Sequence, residues 1–162
     1  EQGKTNEGAD IIYASLWQVI NFSDDNARLY ILYPFENLKG QKVSKPNDTS
    51  IVSRIVFKNF SVVLTGDAEK NIDEKLVFSD IILDSDVLKA GHHGSKTSST
   101  ESFLKKVSPG IVLISSGKDN SYGHPHQEVL QRLEKSGIKY YRTDLYGNIK
   151  IVSNGAEYYE EK

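Results

Sequence analysis

Residues 86–100 read DVLKAGHHGSKTSST. The apolar pair Val87-Leu88 leads into two adjacent histidines enclosed by Gly91 and Gly94, and a serine- and threonine-rich stretch follows. A strand that stops in a glycine-flanked polar loop is where α/β proteins place their chemistry. The stretch therefore predicts an active-site loop at the end of a strand. The sequence has four histidines, and the other two, His124 and His126, lie close together further on.

On the N-terminal side, SIVSRIVF (50–57), the turn KNFS and VVLTGDAE (62–69) predict a hairpin whose second strand ends in Thr65-Gly66-Asp67. Ile72, Leu76 and Val77 at helical spacing predict a helix within 69–79. Earlier still, WQVINF and LYILYP flank the turn formers SDDNA and read as two strands, before a long loop over 36–49. Residues 1–10, EQGKTNEGAD, read as a flexible boundary segment of one domain spanning 1–162.

On the C-terminal side, TESFLKKV (100–107) predicts a helix with a threonine or serine N-cap, stopped by Pro109. IVLISSG (111–117) has the β-branched character of a buried strand, and it opens into the loop KDNSYGHPH. A helix over Gln127–Lys135 ends at Gly137, and 138–141 with 149–152 reads as a strand pair around RTDLYGN. A weak strand or frayed end closes the chain. Strand, polar loop and helix recur in that order, which predicts an α/β protein, and the hairpins require mixed sheets.

Composition narrows the chemistry. The chain contains no cysteine, so a metal site must use histidine, carboxylate and water. No apolar run approaches the ~20 residues of a membrane span. With glutamate first, no methionine and no leader pattern, the sequence reads as a processed or excised segment. Residues 89–150 carry ten Lys/Arg against five Asp/Glu, whereas the rest of the chain nets −7. A basic region around a loop rich in hydroxyl groups suits a phosphate-bearing ligand. A strand-terminal Asp and a His-His pair are candidate ligands for zinc, iron or manganese, although each alone also fits a turn or surface role.

The blocks NDTSIV (47–52), VVLTGDAE (62–69), DVLKAGHHGSKTS (86–98), ISSGKDNSYGHPH (114–126) and YRTDLYGNI (141–149) together resemble the C-terminal half of the metallo-β-lactamase-fold domain of ComEC-type competence proteins and related hydrolases. The resemblance implies an αββα sandwich with a site for two divalent ions, zinc or manganese, between its sheets. Carried onto this chain, it makes Asp67 the bridging carboxylate and His92 a metal ligand, with His93 as the alternative ligand or a substrate contact. The loop position suggests that His124 or His126 touches the scissile phosphate or protonates the leaving group, while Pro125-His126 also reads as a plain helix start. Ser95, Thr97 and Asn120 become candidate phosphate contacts.

The HxHxDH block of that family has no counterpart here, because His92 is the first histidine of the chain. The expectation is the C-terminal half of a metal-dependent phosphodiesterase or nuclease. It would act on single- or double-stranded DNA or another phosphodiester, and would be inactive without an N-terminal half. The alternative is a non-catalytic nucleic-acid-binding or interaction module of the same fold. A competence protein would place it at the cell envelope or the outer face, and a stand-alone hydrolase would be secreted or cytoplasmic.

Overall fold

A computed structural model describes residues 3–4, 8–22 and 26–161, so part of the 1–10 boundary segment lies outside the described residues. Two short strands, β1 (Gly3–Lys4) and β2 (Asp10–Ile11), pair with each other. The main sheet has seven strands: β3 (Val19–Asn21), β4 (Ala27–Tyr33), β5 (Val52–Phe57), β6 (Phe60–Leu64), β7 (Val87–Lys89), β8 (Ile111–Ile114) and β9 (Lys139–Arg142), adjacent in sequence order. Strands β3 to β6 form an antiparallel meander, and β6 to β9 run parallel. The change of pattern follows the connections. Short turns join β3 to β4 and β5 to β6, and the long loop 34–51 returns β4 to β5, all antiparallel, whereas helices α1 (Lys70–Val77), α2 (Glu101–Val107) and α3 (Gln127–Lys135) provide the crossovers that parallel neighbours require.

The expected hairpins, the three helices and the Thr100 N-cap, which accepts the Phe103 N–H at 3.3 Å, are all present. The strand pair around RTDLYGN is not. Strand β9 pairs with β8, the segment between becomes a short helix α4 (Thr143–Tyr146), and β10 (Lys150–Ser153) pairs instead with β11 (Tyr158–Glu161). The parallel register of β9 on β8 takes up Tyr140 and Tyr141, and the tail, which looked weak as a sequence, supplies the partner for β10.

Register separates the two faces of the sheet. Val63, Leu88 and Val112 stand in one row and are fully buried under Ile72, Leu76, Phe103, Val107, Val129 and Leu133 of the helices. The row on the opposite face is Leu29, Ile55, Val62, Val87 and Ile111, of which Val62, Val87 and Ile111 cluster with Ile149, Ile151 and Tyr158 on the β10–β11 side. Leu29, Ile55 and Val62 are half-buried there, as are Leu64 and Leu113 of the next row.

Under the helices lies Asp73, only 2% exposed, whose carboxylate accepts the Thr100 N–H at 2.8 Å and so joins α1 to the start of α2. Burial pushes its pKa up to about 7, against the lowering pull of Thr100 and Arg132. A raised carboxyl pKa gives stability that is full below the unfolded value near 4 and is lost as pH rises through about 7. The fold is therefore expected to weaken between pH 4 and 7.5 by an amount on the order of a few kcal/mol. Asp73→Asn keeps an oxygen for Thr100 and should flatten that slope in urea denaturation; an unchanged slope would place the pH dependence elsewhere.

Candidate metal and phosphate site

Because β6, β7 and β8 are parallel, their C-terminal ends open on one edge, and the three loops singled out by sequence meet there. Asp67 follows β6. The Gly91–Gly94 turn follows β7, and residues 115–126 follow β8. All four histidines converge: ring centroids are 5.4 Å apart for His92 and His124, 6.2 Å for His93 and His124, and 4.7 Å for His124 and His126.

The turn itself is unusual. His92 and His93 both have positive φ, 45° and 56°, a left-handed conformation that side-chain-bearing residues adopt at a cost. Its backbone is held on every side. The His92 N–H donates to the Gly66 carbonyl at 3.1 Å, buried Ser98 Oγ donates to the Gly91 carbonyl at 2.7 Å, and Ser99 Oγ accepts the Gly91 N–H at 3.2 Å. Arg132 of α3 in turn donates to the Ser98 and Ser99 carbonyls at 2.8 and 2.6 Å. Neither flanking glycine has room for a side chain: a Cβ would lie 2.6 Å from the Ala68 carbonyl at Gly91 and 2.7 Å from Pro125 at Gly94.

Hydrogen bonds fix the tautomers of the two turn histidines. His92 Nδ1 lies 3.1 Å from Glu69 Oε1, which also accepts from Asn47 Nδ2 at 3.0 Å. His93 Nδ1 lies 2.7 Å from the Ser115 carbonyl. The Ser115 carbonyl only accepts, and so does the Glu69 carboxylate, which lies nearer His92 Nδ1 than the Asn47 amide nitrogen at 3.4 Å, so each Nδ1 is the donor and each Nε2 lone pair is left for the site. His93 Nε2 sits 3.6 Å from Asp67 Oδ1. His126 is the reverse case, since its Nδ1 accepts the Lys96 N–H at 3.2 Å and its Nε2 carries the proton when neutral. The His124 ring makes no hydrogen bond to protein among the described residues. Its pKa is held below the ordinary value, first by desolvation and then by His126, His92 and His93, with Asp67 pulling the other way. His124 is thus a neutral imidazole at pH 7.

The hydroxyl and amide candidates divide. Ser95 is buried with its Oγ 2.9 Å from Thr97 Oγ1, and only Thr97 is exposed. Asn120 spends both ends of its amide inside its own loop: it donates to the Gly117 and His124 carbonyls at 2.7 Å and accepts the His124 N–H at 2.9 Å. A cleft of about 180 Å³ remains between His93, Ser116, Gly117, Asn120, Tyr122 and His124. Lys89 borders the same edge, its ammonium donating to the Gly66 and Ala90 carbonyls at 3.4 and 3.2 Å. Burial lowers its pKa and Asp67 partly restores it.

Sequence reading had given no role to Glu69, Asn47 or Tyr122. The signal for the first two was present: both lie inside matched blocks, TGDAE and NDTS. Imidazole and carboxylate donors of this kind fit a zinc- or manganese-class ion, yet among the described residues no three acidic or histidine side chains close around one point tightly enough to hold it.

No protein-family model matches the chain. Individual proteins do. ComE operon protein 3 of Bacillus subtilis (strain 168) is 35% identical over 149 residues, which is 92% of this chain and 18% of that protein. Competence protein ComA of Neisseria gonorrhoeae is 43% identical over 106 residues, 65% of this chain and 15% of that protein. The chain thus spans less than a fifth of the length of these relatives. Among solved structures, a protein of Parabacteroides distasonis described as a metal-dependent hydrolase superposes with a TM-score of 0.51 over 81% of this chain and 56% of that one, at 14% identity, a likeness of fold. Sequence identity along nearly the whole chain, on a mixed sheet whose strand ends gather Asp67 and the four histidines, makes this protein a member of the ComEC-type competence family, a segment with the metallo-β-lactamase type of fold.

Proposed function

We propose that the chain forms one side of a divalent-metal-dependent phosphodiesterase site acting on DNA or a related phosphodiester, and that the remaining ligands come from an N-terminal half packed on the open face of the sheet. The observation that supports this reading is the pair of turn histidines, each held through Nδ1, with His93 Nε2 3.6 Å from Asp67 Oδ1. Metal-binding histidines are oriented through their second nitrogen in this way. The half-buried apolar row of Leu29, Ile55 and Val62 supports the second part, since it is a surface ready for a further layer.

In this reading Asp67 and His92 are metal ligands. Glu69 and Asn47 orient His92, and His93 faces the ion or a phosphate oxygen. A zinc- or manganese-class ion, with two in the complete domain, would supply Lewis-acid polarisation of the phosphoryl group. His126, whose Nε2–H is fixed by the Lys96 contact, donates that proton towards the leaving oxygen. Neutral His124 accepts one. Thr97 offers the exposed hydroxyl for a phosphate oxygen, and Asn120 keeps the loop of His124 in shape.

Hydrolysis of bis(p-nitrophenyl) phosphate with manganese or zinc, assayed on this chain with and without an upstream segment carrying HxHxDH, is expected only in the longer protein. No hydrolysis in either selects the non-catalytic nucleic-acid-binding module. In the longer protein, Asp67→Ala or His92→Ala should lower turnover by about 100-fold or more; near-normal rates would remove those residues from the ligand set. Glu69→Gln tests orientation instead, with metal affinity by calorimetry expected to fall about 10- to 100-fold while the melting temperature of the metal-free protein stays close to that of the unsubstituted protein.

A further inference from the structure

Tyr122 has no part in the reaction described above, yet it stands at the mouth of the cleft. Its ring lies 5.9 Å from that of His124 with 19° between the planes, and the residue is 77% exposed, so one face meets the imidazole and the ring remains open to solvent. An exposed aromatic ring on a loop is ordinarily mobile. Here the loop is clamped on both sides of the ring, by the three Asn120 hydrogen bonds and by the His126 N–H donating to the Gly94 carbonyl at 3.0 Å. Exposed Lys118 follows Gly117 of the cleft lining in sequence, and exposed Lys96 bonds His126 through its backbone N–H, both in the basic part of the chain. A fixed aromatic face beside basic groups is the arrangement by which proteins hold unpaired bases while the phosphates follow the charge.

We infer that Tyr122 is a stacking platform for a base of single-stranded nucleic acid, seating the strand so that its phosphate enters the cleft between His93 and His124. The inference rests on the phosphodiesterase reading for the site it serves, and it narrows the substrate from any phosphodiester to an unpaired strand. A base inside a duplex presents no free face to Tyr122.

The test is fluorescence anisotropy with labelled oligo(dT) at fixed salt, in chelator so that no cleavage occurs. Tyr122→Ala should weaken binding about 10-fold or more, Tyr122→Trp should restore it, and an abasic strand of equal length should bind wild type as weakly as oligo(dT) binds Tyr122→Ala. Equal binding of oligo(dT) by wild type and Tyr122→Ala, or equal binding of oligo(dT) and the abasic strand by wild type, overturns the platform. Binding in chelator reads the platform and hydrolysis reads the reaction. Base selectivity absent with hydrolysis intact overturns the platform alone; selectivity present with hydrolysis absent overturns the phosphodiesterase reading alone.

Discussion

The edge that gathers Asp67 and the four histidines depends on one turn, Gly91-His92-His93-Gly94, being held in a conformation its histidines do not favour. Two consecutive non-glycine residues in the left-handed region cost on the order of 1 kcal/mol or more each. Ser98, Ser99 and the Gly66 carbonyl offset that cost by hydrogen-bonding the backbone of the turn where water does not compete, and Arg132 ties those serines to α3. The result is that both imidazoles leave the turn with their Nδ1 positions committed and their Nε2 positions free. A relaxed turn would lose the orientation of both rings together.

The same parallel packing that brings the loops together leaves the site one-sided. Crossover helices occupy one face of the sheet and bury Val63, Leu88 and Val112, so any further layer must approach from the other face. That face carries the half-buried row of Leu29, Ile55 and Val62, and Lys89 rises from it beside Asp67. Desolvation first, and then the imidazoles of His126, His92 and His93, hold the His124 pKa below its ordinary value, so that this ring keeps a lone pair. Lone pairs without protons are what a cation requires.

Charge is arranged differently beneath the helices. Asp73 is deprived of solvent and bonded to the first turn of α2, so it links two helices at the expense of stability at neutral pH. Nothing in this arrangement touches the histidine edge directly. It concerns how the helices sit under the turn that Ser98 and Ser99 secure.

Much of this was legible in the residues. Turn formers and alternation marked the hairpins, Thr100 marked the start of α2, and Asp67, His92, His93, His124 and His126 stood in strand-end loops because local sequence dictates where strands stop. The partners were not legible. That Glu69 and Asn47 hold His92, that Ser98 and Ser99 secure the backbone of the histidine turn, that Asn120 closes its own loop and that β10 turns to β11 instead of β9 are contacts set by packing. Sequence alone determined which side chains stand in the strand-end loops, since that is a matter of residue type and local punctuation. Tertiary structure decided which ring nitrogen of His92, His93 and His126 carries the proton, because a tautomer is set by whatever acceptor or donor lies across the fold.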